Sequence, residues 1–111
     1  MAAGLKRRAE FLRAAREGRK AAGRHLVLQA LPRGDEAPAR LGFTATKKIG
    51  DAVTRNRAKR RLRAAARLVL AGGAAAGHDL VLIARDGTPA CPWPTLLEEL
   101  RAALRRTGAA P

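Results

Sequence analysis

A strongly basic stretch carries the most distinctive side chains of this sequence. Residues 47–67 read KKIGDAVTRNRAKRRLRAAAR and hold nine Lys and Arg residues against one acid, Asp51. Guanidinium groups bind phosphate oxygens in pairs and stack on exposed bases. Asn56, between Arg55 and Arg57, adds an acceptor beside its donors, which suits a 2′-hydroxyl, a base edge or a water on a hydrated metal ion. The stretch therefore predicts a phosphate-contact surface.

The remaining polar residues form no group of side chains that could catalyse a reaction without a partner. A nuclease that works alone needs clustered carboxylates or His residues, whereas the nine acids here are scattered. Glu98 and Glu99 are neighbours on a predicted helix and point about 100° apart. Cys91 has no His or second Cys nearby, and His25 and His78 begin predicted strands. We expect no catalytic and no metal-binding residue in the protein.

Length and charge restrict the class of protein. The chain has 111 residues, a formal net charge of +14 and a pI of about 11.8. These values predict a single domain over 1–111 that binds a polyanion, with nucleic acid as the first candidate and an acidic membrane surface as the second. A membrane-bound protein would need an apolar run of about 20 residues or a helix with large apolar anchors. Since neither occurs and residues 1–20 do not resemble a signal peptide, we expect a cytoplasmic protein.

Hydrophobic periodicity predicts the elements that position the basic stretch. In chain order it indicates a helix over 5–16, a strand over 25–31, its antiparallel partner over 40–46, a helix over 52–70, a strand over 79–85 and a helix over 94–106. Asp51 is the predicted N-cap of the second helix. Residues 18–23 fit either a short edge strand or an irregular arm. The order predicts an α+β sandwich of one sheet with packed helices.

The second helix separates into two faces when it is projected at 100° per residue. The stripe that should pack on the sheet contains Ala58, Leu62, Ala65, Ala66 and Val69. The remaining arc contains Asn56, Arg57, Arg60, Arg61, Arg63 and Arg67. Like charges at i and i+4, such as Arg57 and Arg61, destabilise a helix, so a face this basic favours a binding role over a purely solvated one.

The basic stretch resembles the signature of the bacterial ribonuclease P protein subunit. The matching residues are Lys47, Lys48, Gly50, Ala52, Val53, Arg55, Asn56, Arg57, Lys59 and Arg60. The flanking runs RRAEFLRAAREGRKAAGRHLVL, RLGFTAT and HDLVLIAR are similar to the family's first helix and its strands. The resemblance covers nearly the whole chain.

The resemblance implies a fold, a partner and a set of contact residues. The fold would be an α-β-β-β-α-β-α sandwich with a left-handed βαβ crossover, as in one ribosomal protein domain. The protein would be a monomer that binds a catalytic RNA. That RNA would hold Mg²⁺ and cleave precursor tRNA to form the mature 5′ end. Implied RNA-binding residues are Lys47, Lys48, Arg55, Asn56, Arg57, Lys59, Arg60, Arg61, Arg63 and Arg67.

The resemblance also implies a cleft between the first helix and the sheet that holds the 5′ leader of precursor tRNA. Phe11, Thr46 and Arg8 would line it, with Lys47, Lys48 and Arg55 at its border. Ala15 and Gln29 stand where the family often has aromatic residues.

Two other classes of nucleic-acid-binding protein share part of this pattern. A structural RNA-binding protein of ribosomal type would have the same charge, but it would not require the signature over 47–63. A helix-turn-helix DNA-binding module needs a short helix and a tight turn before its recognition helix, and the strand-like LGFTAT lies there instead.

Overall fold

The computed structural model describes residues 3–110 and shows three helices on a single mixed sheet. The elements are β1 (Ala3–Gly4), α1 (Arg8–Glu17), β2 (Arg19–Ala22), β3 (Leu26–Pro32), β4 (Arg40–Thr44), α2 (Ala52–Val69), β5 (His78–Ala84) and α3 (Trp93–Thr107). Two 3₁₀ turns, Lys47–Ile49 and Thr88–Ala90, precede α2 and α3. The segment over 18–23, which the sequence left open, contains the edge strand β2.

The strand order in the sheet is β1-β4-β5-β3-β2. Strand β5 lies between β4, to which it is parallel, and β3, to which it is antiparallel. The predicted antiparallel pairing of 25–31 with 40–46 is therefore wrong. Residues 80–82 of β5 are apolar and buried, because helices cover both faces of the sheet at this strand. Helix α2 supplies the crossover between β4 and β5.

The helices cover opposite faces of the sheet. Helices α2 and α3 pack on one face, where Leu28, Leu62, Leu82 and Leu100 belong to the main hydrophobic core. Helix α1 packs on the other face through a smaller cluster that includes Ala14 and Val81. The smaller cluster buries fewer apolar side chains, so α1 depends more on polar contacts for its position.

A cluster of charged side chains, Glu10, Arg33, Asp35, Arg40 and Asp79, fixes α1 and the connection between β3 and β4. Asp79 is 3% exposed and accepts hydrogen bonds from Arg33 at 2.9 Å and from Arg40 at 2.7 Å. Burial raises the pKa of Asp79, but the hydrogen bonds from Arg40 and Arg33 outweigh it and hold that pKa below its usual range. We call this group the Asp79 cluster.

The Asp79 cluster reaches the first turn of α1 through Glu10. The carboxylate of Glu10 accepts the backbone N–H groups of Arg7 at 3.0 Å and Lys6 at 3.2 Å and lies 2.9 Å from Arg40. The backbone hydrogen bonds from Arg7 and Lys6 are the main reason that the pKa of Glu10 is lowered. The start of α1 is thus tied to strand β4.

Candidate nucleic-acid interface

Helix α2 begins where the sequence predicted. The carboxylate of Asp51 accepts the backbone N–H of Thr54 at 2.9 Å, and this hydrogen bond lowers the pKa of Asp51. An acidic N-cap also interacts favourably with the helix dipole. The cap confirms the predicted start of α2.

The predicted apolar stripe of α2 is confirmed. Ala58, Leu62, Ala65 and Ala66 are fully buried, and Val69 packs against the same core at its edge. The stripe lies over the sheet, so the opposite side of the helix faces solvent.

The solvent side of α2 carries exposed cations without acidic neighbours. Its exposed polar and charged residues are Asn56, Arg57, Arg60, Arg63 and Arg67, which together we call the outer face of α2. Every ion pair formed within residues 3–110 involves other side chains. Four guanidinium groups on one helix face with no intramolecular carboxylate partner form a surface that favours a polyanion.

Arg61 does not belong to this outer face, and its predicted outward orientation is wrong. Its guanidinium turns toward the turn before α3, where it donates to the carbonyl oxygens of Thr88 at 2.8 Å, Pro89 at 3.1 Å and Cys91 at 2.5 Å. The same group lies 5.8 Å from the ring centroid of Trp93. Arg61 therefore connects α2 to the turn before α3 and to Trp93 at the start of α3.

Arg55 and Lys59 point toward the flank of α2 and are half-buried. The Nε atom of Arg55 is buried and has no hydrogen-bond partner within residues 3–110. Buried polar groups are usually hydrogen-bonded, so Arg55 is an exception among the described residues. Lys47 and Lys48 are exposed on the 3₁₀ turn before α2.

The predicted leader-cleft residues lie near the opposite face of the sheet or at its end. The ring of Phe11 lies over Gly42 of β4, where a Cβ atom would come within 2.5 Å of ring atom Cε1. Glycine at residue 42 therefore permits this contact, and Phe11 remains half-buried. Thr46 is exposed just beyond β4, and Arg8 is exposed at the first residue of α1.

Gln29 lies on the same face of the sheet as Phe11. Gln29 pairs with Val81, which in turn pairs with Gly42, and paired residues in adjacent strands point to the same side. Gln29 is half-buried, and Ala15 is exposed on α1. The two positions where aromatic residues were expected thus provide no aromatic ring, which leaves Phe11 as the aromatic group of this surface within residues 3–110.

Two features near the outer face of α2 were absent from the sequence predictions of contact residues. Val53 is 74% exposed at the start of the helix, although its side chain is apolar. The guanidinium of Arg63 lies 5.0 Å from the ring centroid of Phe43 on β4. Val53 could have been identified from the helix projection, but the pair of Arg63 and Phe43 depends on how α2 lies across the sheet.

Residues 3–110 contain no group of three or more His, Cys, Asp or Glu side chains that could hold a metal ion. The described part of the chain also has no helix long and apolar enough to cross a membrane. The geometry supplies cations, an amide and a partly exposed ring, which are groups that bind nucleic acid.

Comparison with known proteins agrees with this surface chemistry. The family model for ribonuclease P matches residues 2–108. The ribonuclease P protein component of Gluconacetobacter diazotrophicus is 55% identical over 104 residues, which cover 94% of this chain and 90% of the relative. The component of Symbiobacterium thermophilum is 40% identical over 104 residues, with the same coverage of 94% and 90%.

Solved structures show the same fold. The RNase P protein of Staphylococcus aureus has a TM-score of 0.82 and 25% identity, with 100% of both chains covered. The RNase P protein of Thermotoga maritima has a TM-score of 0.76 and 28% identity, with coverage of 92% of this chain and 94% of that chain. The predicted α+β fold class is confirmed. The chain therefore belongs to the ribonuclease P protein family, whose members are protein components of a tRNA-processing ribonuclease.

Proposed function

We propose that this protein binds the catalytic RNA of ribonuclease P through the outer face of α2 and supports cleavage that takes place in the RNA. The observation that carries the proposal is the set of four exposed arginines on that face with no carboxylate partner within residues 3–110. A guanidinium without an internal partner is available to phosphate oxygens. The proposed RNA contacts are Lys47, Lys48, Arg55, Asn56, Arg57, Lys59, Arg60, Arg63 and Arg67.

We further propose that the α1 side of the sheet holds the 5′ leader of precursor tRNA. Phe11 offers a partly exposed ring on which a base can stack. Arg8 in the first turn of α1 and Thr46 just after β4 offer exposed polar groups. Stacking of a base on an aromatic ring contributes roughly 1–3 kcal/mol. Because α1 and α2 lie on opposite faces of the sheet, one protein can contact two RNA segments at once.

Mg²⁺ enters this proposal as an ion held by the RNA. The carboxylates of Glu10, Asp35 and Asp79 are engaged with arginines or backbone N–H groups, so they do not fit a Mg²⁺ site. The role of the protein is electrostatic: its cations reduce the repulsion between the catalytic RNA and precursor tRNA, which are both polyanions. We also propose that a monomeric protein acts in the cytoplasm.

Reconstitution with a cognate ribonuclease P RNA tests the proposal. Precursor tRNA cleavage is measured at low Mg²⁺ with RNA alone, protein alone and both together. We expect no cleavage by protein alone and a lower Mg²⁺ requirement when both are present. Cleavage by highly purified protein without the RNA would contradict the proposal, and an unchanged Mg²⁺ requirement would favour a structural RNA-binding protein of ribosomal type.

Two double variants that remove the same amount of positive charge test whether the outer face of α2 matters or only the net charge of the protein. Arg57→Gln with Arg60→Gln removes two cations from that face, whereas Arg101→Gln with Arg105→Gln removes two exposed cations from α3. We expect only the α2 variant to restore the high Mg²⁺ requirement. Equal effects of the two variants would show that net charge alone supports cleavage.

A further inference from the structure

A groove of about 790 Å³ lies beside the outer face of α2. Its walls come from strand β4, the C-terminal half of α2, the connection 36–39 and the loop 71–74. This groove is on the α2 side of the sheet, because Leu41 and Phe43 pack against the core that α2 and α3 cover. It is therefore separate from the α1 side, where Phe11 lies. Grooves of this size can accept a small planar ligand.

The walls of the groove are mostly apolar and include an aromatic ring. Leu41, Phe43, Ala66 and Leu70 line it, and all but Ala66 are only partly buried. Arg63 lies over the ring of Phe43 and is also part of the lining. A ring and a planar guanidinium are both groups on which nucleobases stack.

Backbone polar groups border the same groove. Leu5 N–H donates to the carbonyl of Leu41 at 2.7 Å, so the polar groups of Leu41 face the outer edge of the sheet. Residues two apart in a strand share that direction, which places the N–H and C=O of Phe43 on the same edge. The pairing of β1 with β4 covers only Arg40 and Leu41. The edge beside Phe43 can therefore form hydrogen bonds with the polar edge of a base.

Charge indicates which class of partner fits the groove. Arg63 and Arg67 stand on one side, and neither pairs with a carboxylate of residues 3–110. Glu36, which is exposed on the opposite rim, is the single acid among the lining residues. The groove continues the cationic outer face of α2, so its occupant should carry phosphate.

We propose that this groove binds an unpaired nucleobase of the partner RNA, with the flanking phosphates on Arg63 and Arg67. This subsite rests on the proposed function, because it requires that the outer face of α2 contact RNA. It adds recognition of a flipped-out base to a surface that would otherwise contact only the backbone. A paired helix would not present such a base, so the subsite selects a loop or bulge of the RNA.

Filling the groove tests the proposal without changing charge. Ala71 is exposed and lines the groove, whereas Ala76 is exposed in the same loop but outside the lining. Complexes of the full chain with cognate ribonuclease P RNA are compared for wild type, Ala71→Leu and the matched control Ala76→Leu. The measurements are affinity at several salt concentrations and the chemical reactivity of each unpaired base.

We expect wild type and Ala76→Leu to protect one or more unpaired bases that become reactive with Ala71→Leu. Affinity should fall at least about fivefold for Ala71→Leu, as expected for a lost stacking contact, with an unchanged salt slope. Equal affinity and protection for all three proteins would overturn the subsite while leaving the proposed function intact. Failure of wild type to bind the RNA would overturn the proposed function and the subsite together.

Discussion

Arginines of the outer face of α2 and arginines of the Asp79 cluster have opposite surroundings. In the cluster, Arg33 and Arg40 donate to Asp79, and Arg33 also donates to the carbonyls of Ala37 and Pro38 at 3.0 Å. On the outer face of α2, the guanidinium groups have no carboxylate partner within residues 3–110. The same side chain therefore stabilises the fold in one region and is available for a partner in the other.

The contrast shows that basicity alone does not locate a binding surface. A paired and partly buried arginine has already exchanged much of its hydration for internal hydrogen bonds, so it gains little from a phosphate. Exposed and unpaired arginines repel one another, and a bound polyanion relieves this repulsion. Arg61 belongs with the paired class although it lies in the basic signature, because three backbone carbonyls accept its hydrogen bonds.

The largest expected effect is a loss of stability when the Asp79 cluster is disrupted. Asp79→Ala leaves Arg33 and Arg40 without their shared buried partner, and removal of one member of a buried ion pair costs about 3–5 kcal/mol. Urea unfolding at pH 7 measures this loss. Since the pKa of Asp79 in the folded protein lies below the ordinary 3.8, its contribution is fully present at pH 7. The same contribution is lost as pH falls through that lowered pKa.

Asp86→Ala is the control for this variant. Asp86 is exposed and forms no ion pair within residues 3–110, so its removal should change the free energy of unfolding by no more than about 0.5 kcal/mol. Similar losses for Asp79→Ala and Asp86→Ala would show that the Asp79 cluster does not stabilise the fold.

Much of the fold was predictable because local signals and tertiary structure agree. The buried stripe of α2 follows from periodicity, and the start of α2 follows from the capping chemistry of Asp51. The wrong pairing of β3 with β4 has a specific cause. The connection 33–39 is too long for a two-residue hairpin turn. It folds around Arg33, which donates to the carbonyls of Ala37 and Pro38 within the connection and to Asp79 on β5, which lies between β3 and β4.

The candidate site was predictable in part for the same reason. Helical projection separates the outer face of α2 from the buried stripe, but it cannot distinguish Arg57 from Arg61, since both lie on the polar arc. The difference depends on the turn at Thr88–Ala90, which tertiary packing brings beside Arg61. The groove at Phe43 likewise requires contacts between β4 and α2 that no local pattern encodes.

The second-largest expected effect is on leader binding by α1, the helix that the Asp79 cluster anchors through Glu10. Phe11→Ala should weaken binding of leader-bearing precursor tRNA by roughly 1–3 kcal/mol, because it removes a stacking ring. Affinity for mature tRNA should hardly change. The ratio of the two affinities in the reconstituted enzyme measures this effect.

Leu12→Ala on the same helix is the control, since Leu12 is 50% exposed and has no aromatic ring. Phe11 also contacts Gly42 and lies in the smaller hydrophobic cluster. An unchanged affinity ratio combined with a loss of thermal stability would show that Phe11 is a packing residue alone.

The smallest expected effect is a change in the salt dependence of RNA binding, which should differ between the exposed and the paired arginines of α2. Arg57→Ala or Arg60→Ala should make the slope of log affinity against log salt shallower by about 1 unit, because each removes one phosphate contact. Arg61→Ala should leave the slope unchanged and lower the free energy of unfolding, because its guanidinium is used by Thr88, Pro89 and Cys91. Salt titrations of RNA binding and urea unfolding of the three variants provide the measurements. If Arg61→Ala changes the slope as much as Arg57→Ala does, Arg61 leaves its internal partners when RNA binds, and the division between the two classes of arginine does not hold in the complex.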